Sequence, residues 1–430
     1  MAKNTNLELR GQLMYSVFVR NHTKEGTFRA LEGDLDRIAA LGTDIIWLMP
    51  IHPIGKAARK GELGSPYAIS DYRGINPEYG TKEDLIHLVE AIHARGMKCI
   101  IDVVYNHTAP DSVLAETNPE YFFCDAAGAP SRHVAEWWDI VDLEYTNPAL
   151  WDYQIETLKM WAEIVDGFRC DVASMVPVDF WCRARAAVTE VKPDCIWLAE
   201  SVFQDHVRSM RAQGAYSATD SELYAAFDIT YPYDVWDVFD GYFNGTCALS
   251  DYIRMLNFQE GLYPGNYVKL RCLENHDQPR FAGRVESREE LRSWLALNYF
   301  ERGTTMLYAG EEFAAEKPVG LFDKDDNFAD IREDWQAYLK LLRRMKRQLP
   351  VTGEYRLDCR GEEFVVGEYN TPNQKVRGVF SMNGAAGDLA VNLPDGVYRD
   401  LVDGREVTVT AGFVRTEGEP VIIAMEEYKC

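Results

Sequence analysis

Eight short apolar segments, separated by stretches with helical periodicity, constrain the fold of this chain more than any other feature. Strands that read as continuous apolar runs are typical of a parallel sheet that helices cover on both faces. Eight such strands alternating with helices predict a closed (β/α)8 barrel, also called a TIM barrel. The predicted strands are Leu13–Val19, Asp44–Met49, Lys98–Val104, Asp166–Asp171, Ile196–Ala199, Ala225–Thr230, Val268–Leu273 and Thr304–Tyr308.

The intervening segments carry apolar residues at helical spacing. Thr81 is predicted to cap the first clear helix. The three predicted apolar faces are Leu85, Leu88, Val89 and Ile92; Phe180, Trp181, Ala184, Ala187, Val188 and Val191; and Ile331, Trp335, Leu339, Leu342 and Met345.

Two segments interrupt the alternation and predict further domains. After His107 the helical pattern resumes only near Pro148, which is far longer than an ordinary loop between a strand and a helix. From about Thr352 onward the pattern is one of strands separated by turn signals, which predicts an antiparallel β domain. The predicted domains are the barrel (1–107 and 148–350), a small inserted domain B (108–147) and a C-terminal β-sandwich-like domain (351–430).

Composition limits the class of partner. The 430 residues carry a net charge of −23, which argues against nucleic acid or an anionic membrane as the partner. The N-terminal residues lack the apolar core of a signal peptide, and no apolar run is long enough to span a membrane. The nine cysteines lack the paired spacing of a zinc site. We therefore predict a cytoplasmic protein with reduced cysteines and no membrane or nucleic-acid partner.

Four stretches at the ends of predicted strands each contain an acidic residue, and three of them also contain histidine or arginine. The C-terminal ends of barrel strands meet at one face, so these side chains are expected to form one site. Two carboxyl groups, one as a nucleophile and one as an acid, are the set that cleaves a glycosidic bond with retention. The stretches are Asp102-Val-Val-Tyr-Asn-His107, Gly167-Phe-Arg-Cys-Asp171, Trp197-Leu-Ala-Glu200 and Glu274-Asn-His-Asp277.

In this order the four stretches resemble the signature regions of the α-amylase family, glycoside hydrolase family 13, and in particular bacterial intracellular α-amylases. The resemblance extends to Leu41–Pro50 on the second strand and to Val141–Pro148 in the long loop. It implies that Asp171 is the nucleophile, Glu200 the general acid and base, and Asp277 the stabiliser of the transition state.

The residues themselves support this division of roles. Arg169 lies two positions before Asp171, so both side chains point to one face of the strand, where the guanidinium can keep Asp171 ionised. Glu200 follows the apolar run Trp197-Leu-Ala, and burial there would raise its pKa, as an acid catalyst requires.

The resemblance also assigns substrate-binding residues. It implies that His107 and His276 bind hydroxyl groups of the reacting sugar, that Tyr67 stacks on this sugar, and that Arg280 contacts Asp277. A histidine near a strand end, or a tyrosine after proline, is more often structural, so these roles depend on their neighbours. Further candidates for the cleft are Tyr15, Trp47, Trp137 and Trp138, with barrel packing favoured for Trp47.

Four positions bear on metal binding and on the bond that is cut. Many α-amylases have a Lys-His pair, with the histidine carbonyl helping to hold calcium, where this chain has Ser174 and Met175. Asn106 matches another calcium ligand of the family, so both a calcium ion and a plain hydrogen bond are left open there. Val172, directly after the nucleophile, resembles members that cleave α-1,6 bonds.

The leading hypothesis is a retaining α-glucan hydrolase that cleaves α-1,4 bonds in starch-derived dextrins and maltooligosaccharides, with no certain cofactor. The alternative keeps the nucleophile but changes the reaction, to an α-1,6-glucosidase of the oligo-1,6-glucosidase type or to a 4-α-glucanotransferase. A third hypothesis, a catalytically inactive glucan-binding relative, is disfavoured because all three carboxylates are present.

Overall fold

The computed structural model describes residue 2 and residues 4–426. Eight parallel strands close into a barrel in the order β1-β8-β7-β6-β5-β4-β3-β2, which confirms the predicted (β/α)8 fold. The strands are β1 (Leu13–Val17), β2 (Ile45–Leu48), β3 (Lys98–Val103), β4 (Gly167–Cys170), β5 (Ile196–Ala199), β6 (Ile229–Thr230), β7 (Val268–Arg271) and β8 (Thr304–Tyr308).

Helices surround these strands. They are α1 (Val19–His22), α2 (Phe28–Glu32), α3 (Leu35–Ala40), α4 (Lys82–Ala94), α5 (Val113–Thr117), α6 (Pro148–Ala162), α7 (Val178–Thr189), α8 (Gln204–Ala212), α9 (Asp220–Leu223), α10 (Tyr233–Phe243), α11 (Leu249–Leu262), α12 (Arg288–Phe300) and α13 (Gln336–Lys346). Short 3-10 helices lie at Leu7–Gly11, Pro119–Tyr121, Ala173–Met175, Phe281–Gly283 and Glu311–Phe313.

Two of the predicted helices show how local chemistry sets their bounds. Thr81 caps α4 with a capping box completed by Asp84, as the sequence predicts. The last helix begins at Gln336, so the prediction that Ile331 belongs to its buried face is wrong, and Ile331 is exposed. The backbone N–H of Trp335 donates to the carbonyl of Glu312 at 2.9 Å, and this contact holds the preceding segment against a loop instead of in a helix.

The segment between β3 and α6 crosses the mouth of the barrel. Its two ends pair as a short antiparallel ribbon, in which His107 lies opposite Asp142 and Thr108 opposite Val141. Between them lie α5, one 3-10 helix and irregular backbone. The ribbon therefore holds the two ends of the segment together, close to the C-terminal end of β3.

The C-terminal strands form two antiparallel sheets in the orders β9-β10-β11-β16 and β12-β15-β14-β13. Valine, leucine and isoleucine side chains from both sheets form a separate apolar core between them, as in a sandwich. The exact domain limits stay a prediction. The strands are β9 (Glu354–Arg360), β10 (Phe364–Asn370), β11 (Gln374–Ser381), β12 (Gly387–Ala390), β13 (Gly396–Arg399), β14 (Glu406–Thr410), β15 (Phe413–Thr416) and β16 (Val421–Glu426).

Two paired glycines dock the first of these sheets on the barrel. Gly367 of β10 lies opposite Gly378 of β11, and the ring of Phe300, the last residue of α12, packs against both. A Cβ atom at position 378 would lie 3.0 Å from Phe300 Cε2, and one at position 367 would lie closer still to the ring. The absence of side chains at this point is therefore what lets the sheet approach the helix.

Within the described part of the chain, no helix is long and apolar enough to cross a bilayer. The eight cysteines in that part are free thiols, and the ninth, Cys430, lies outside it. Cys99, Cys170 and Cys272 are buried in or directly after barrel strands, as predicted.

Gly367→Ala is expected to destabilise the protein, because the new methyl group would overlap the ring of Phe300. Overpacking of this kind costs roughly 1–3 kcal/mol, so scanning calorimetry should record a lower melting temperature. Gly265→Ala is the control, because a Cβ atom there has no neighbour within 4 Å. An equal effect of the two substitutions would contradict the docking role of Gly367.

Candidate active site

A cavity of about 440 Å³ opens at the C-terminal ends of the barrel strands. Six of the nine residues predicted for the site line it, which places the four sequence stretches in one location. Those six are Tyr67, His107, Asp171, Glu200, His276 and Asp277.

The fully buried guanidinium of Arg169 connects the carboxylates beneath this cavity. Its Nη1 donates to Asp102 Oδ1 and to Asp171 Oδ1, both at 2.9 Å. Its Nη2 lies 2.8 Å from Glu200 Oε2, in an ion pair without the alignment of a hydrogen bond. The predicted contact between Arg169 and Asp171 is confirmed, and Asp102 supports it from β3, where it lies opposite Arg169 in the strand register.

Burial controls the protonation of these carboxyl groups. It raises the pKa of Asp171 to about 7 and the pKa of Glu200 to about 7, although the charge of Arg169 opposes both shifts. The same cause raises the pKa of Asp102 to about 6. Since neighbouring acids titrate together, Asp171 and Glu200 share a proton near neutral pH.

The backbone after Asp171 is strained in a way that links the two carboxylates. Val172 adopts a left-handed conformation, with φ 34° and ψ 44°, which is rare for a β-branched residue. Its N–H donates to Glu200 Oε2 at 2.7 Å. Strain of this kind concentrates at functional sites, and here it turns the backbone N–H toward the second carboxylate. The Val172 side chain packs against Met175 and Met210.

Asp277 is held by a second group of polar residues. His276 Nε2 lies 3.1 Å from Asp277 Oδ2 and 2.7 Å from the hydroxyl of Tyr67, which in turn donates to Asp102 at 3.3 Å. Burial favours the neutral forms of the pair, but the attraction between the charged forms outweighs it. The pKa of Asp277 is therefore lowered and that of His276 raised.

His107 faces Asp171 from the other side of the cavity. Its Nε2 lies 3.9 Å from Asp171 Oδ2, and its Nδ1 lies 3.1 Å from the amide nitrogen of Asn106. Burial lowers the pKa of His107, so the ring is neutral at pH 7. Because Nδ1 accepts from Asn106, Nε2 carries the hydrogen and can donate toward the cavity.

The prediction that Arg280 contacts Asp277 is wrong. The guanidinium donates instead to Glu274 Oε1 at 2.6 Å and to the carbonyl of Ala309 at 2.8 Å. Glu274 is fully buried, and leaving such a carboxylate without a cation would be costly, so it takes the charge of Arg280. Arg280 does not line the cavity.

The side chains around Asn106 are paired with one another. The amide nitrogen of Asn106 lies 3.4 Å from Asp142 Oδ1, and His133 Nδ1 lies 2.8 Å from Asp142 Oδ2. Calcium is bound by six to eight oxygen ligands, whereas here an imidazole and an amide N–H approach the carboxylate. Across residue 2 and residues 4–426, no group of three or more His, Cys, Asp or Glu side chains is arranged to hold a metal.

Several residues that line the cavity were not predicted from the sequence. Phe203 and Tyr233 stack with ring centroids 4.6 Å apart, and Phe203 lies three positions after Glu200, a proximity that could have identified it. His206, Lys60 and Phe322 also line the cavity, and no motif marked them. Of the aromatic candidates, Trp137 lines the cavity, Trp138 is exposed, and Tyr15 and Trp47 are buried in the barrel core.

Comparison with known proteins places this site in a family. The alpha amylase catalytic domain matches residues 12–121 and 134–348, and the bacterial alpha amylase C-terminal domain matches residues 356–423. Because the first match covers more than half of the chain, the chain belongs to the α-amylase family.

Individual relatives differ in the reaction that their names describe. An α-amylase from Lactobacillus plantarum is 43% identical, with a TM-score of 0.95 over 98% of this chain and 100% of that one. The maltogenic α-amylase AmyB from Thermotoga neapolitana is 32% identical, with a TM-score of 0.87 over 98% of this chain and 100% of its own. An α-1,4-glucan:maltose-1-phosphate maltosyltransferase from Myxococcus xanthus is 31% identical over 53% of this chain, which spans 36% of that protein's length.

The shared proton predicts a bell-shaped pH dependence of kcat/KM with a maximum near pH 7. Below that pH, Asp171 gains a proton and cannot attack, and above it Glu200 loses the proton that it must donate. The rate should fall about tenfold per pH unit outside the maximum. Initial rates should be compared only where circular dichroism shows a folded protein. A profile that stays flat from about pH 5 to pH 9 would contradict the assignment.

Proposed function

We propose that this chain is a retaining α-glucan hydrolase that cleaves α-1,4 bonds in starch-derived dextrins and maltooligosaccharides through a covalent glycosyl-enzyme. The observation that carries the proposal is the placement of Asp171 and Glu200 on one guanidinium at the cavity floor. A nucleophile and an acid on the two sides of one bond are what a retaining mechanism requires.

In this mechanism Asp171 attacks the anomeric carbon while Glu200 protonates the departing glycosidic oxygen. Both contacts of Glu200, from Arg169 and from the Val172 N–H, fall on Oε2, so Oε1 is the oxygen that carries the proton. Glu200 then takes a proton from water, which attacks the same carbon and releases Asp171.

The remaining residues bind and stabilise the reacting sugar. Asp277, whose pKa is lowered by His276, stays negative and stabilises the positive charge that develops on the sugar ring. Tyr67 offers an aromatic face, and the Nε2–H of His107 and the imidazole of His276 can hydrogen-bond hydroxyl groups. The proposed partner is an α-glucan oligosaccharide or polysaccharide in the cytoplasm.

Replacement of either central carboxylate should abolish activity on maltotetraose without loss of the fold. Asp171→Asn and Glu200→Gln are each expected to lower kcat by about 10³-fold or more, because each removes one half of the double displacement. Chromatography of the products measures the rate, and circular dichroism reports the fold. Asp152→Asn, which changes an exposed carboxylate on α6, is the matched control. Full activity of folded Asp171→Asn would end the proposal.

The same chromatography separates the alternatives. Cleavage of isomaltotriose in place of maltotetraose would show an α-1,6-glucosidase, the bond preference that the resemblance at Val172 indicates. Products longer than maltotetraose would show a glucanotransferase, and the Myxococcus relative is likewise named for a transfer reaction, that of a maltosyl group. Tight binding of maltotetraose without turnover would show an inactive relative.

We also propose that catalysis needs no calcium, because His133 and Asn106 already satisfy both oxygens of Asp142. Incubation with the chelator EDTA should leave the rate on maltotetraose within about twofold and the melting temperature nearly unchanged, since a bound ion would otherwise stabilise the folded state. His133→Ala should lower the melting temperature, because the buried carboxylate of Asp142 loses the imidazole and keeps only the backbone N–H of residue 133 and the amide of Asn106. Loss of activity in EDTA that added calcium restores would overturn this.

A further inference from the structure

Three loops are joined to one another on one side of the cavity, and the residues that join them are here called the wall. The backbone N–H groups of Leu63 and Gly64 donate to the carbonyl of Phe322 at 2.9 and 3.0 Å, which joins the loop after β2 to the loop after β8. The inserted segment joins them through a side-chain contact. The residues of the wall are Lys60, Trp138, Asp139 and Phe322.

Lys60 is the centre of the wall. Its Nζ lies 2.8 Å from Asp139 Oδ1, and the side chain of Asp139 is only 4% exposed. The same ammonium lies 4.5 Å from the ring centroid of Trp138 and 5.9 Å from that of Phe322. The Lys60 side chain is 17% exposed, and a partly buried ion pair is stronger than one in open solvent, so the contact holds the inserted segment to the barrel loops.

The loop that carries Lys60 has little freedom to withdraw. Gly61 adopts a left-handed φ of 62°, and a Cβ atom there would lie 2.6 Å from Phe322 Cβ. Arg20 donates from Nη1 to the carbonyls of Gly64 and Leu321, both at 3.0 Å. The two loops are therefore joined by backbone, by packing and by a shared arginine.

The position of the wall decides which part of a glucan it meets. In the closed strand order β5 lies diametrically opposite β1, and β2 and β8 flank β1. Glu200 follows β5, whereas the loops that carry Lys60 and Phe322 follow β2 and β8. The acid protonates the oxygen of the departing sugar, so the departing sugars lie on the Glu200 side. The sugars that stay on Asp171 extend toward the wall.

We propose that the wall closes the retained-sugar side of the cleft, so that the enzyme acts from the non-reducing end of its substrate and releases short products of fixed length. The retained sugars of an α-glucan run toward its non-reducing end, because each of them is linked through its own C1. Lys60, Asp139 and Phe322 line the cavity, so the barrier stands inside the substrate path. The inference rests on the proposed function and adds the position of the bond that is cut.

The test uses two nitrophenyl α-maltoheptaosides that differ only at the non-reducing glucose, which is free in one and carries a 4,6-O-ethylidene group in the other. The wild-type protein should cleave the blocked compound about tenfold more slowly or worse, because the wall leaves no room for the added group. With maltotetraose to maltoheptaose, it should release the same short product from each.

Variants of the wall separate its role from that of the fold. Phe322→Ala and Lys60→Ala should bring the two maltoheptaoside rates to within about twofold of each other and lengthen the released product. Lys60→Arg keeps the ion pair and should keep the discrimination. Lys159→Ala, which removes an exposed ion pair on α6, is the control and should behave as wild type.

The outcomes distinguish the two proposals. Equal cleavage of both maltoheptaosides by the wild-type protein would overturn the wall proposal and leave the proposed function intact. Discrimination that persists in both folded alanine variants would also overturn it, since another feature would then cause the selectivity. Cleavage of neither compound, nor of the unblocked oligosaccharides, would overturn the proposed function and the wall proposal with it.

Discussion

The buried charge of Arg169 is the interaction on which the catalytic end of the barrel depends. Three carboxylates, on Asp102, Asp171 and Glu200, lie within 2.9 Å of this guanidinium, and each would be costly to bury without a cation. One positive charge cannot balance three negative charges, so the cluster keeps a proton near neutral pH. An acid catalyst must hold such a proton. The charge imbalance therefore serves the proposed mechanism. The rings that enclose the guanidinium belong to Trp47, Tyr67 and Tyr231.

The strand register of the barrel makes this cluster possible. Asp102 on β3 lies opposite Arg169 on β4, and Arg169 lies opposite Leu198 on β5, two residues before Glu200. A shift of one residue in either pairing would turn a charged side chain to the other face of the sheet. The left-handed turn at Val172 completes the arrangement, because it directs a backbone N–H to the Glu200 carboxylate. The apolar strand interiors therefore fix the strand register, and the register determines where the charged side chains lie.

The sequence predicted these parts because each depends on local pattern. The eight strands are apolar runs, and the contact between Arg169 and Asp171 follows from their spacing of two on one strand. The error at Arg280 has a different origin. The family resemblance implied a contact with Asp277, but the buried carboxylate of Glu274 competes for the same guanidinium, and only the packing reveals that competition. The wall was not predicted from the sequence, for a related reason. Lys60 and Phe322 belong to loops far apart in the chain, and neither loop carries a pattern that predicts the other.

The carboxylates and the wall belong to different parts of the fold, so the chemistry of the site and the position of the bond that it cuts depend on different contacts. The carboxylates proposed to react lie at strand ends, where backbone ladders between β3, β4 and β5 fix them. The wall is held by one partly buried ion pair, two backbone hydrogen bonds and ring contacts between loops. A substitution in the loops can therefore open or close the retained-sugar side while the carboxylates keep their positions. Relatives that share the barrel and the strand-end residues can therefore differ in product length. The loops that limit the length of bound glucan are separate from the strand ends that carry the carboxylates.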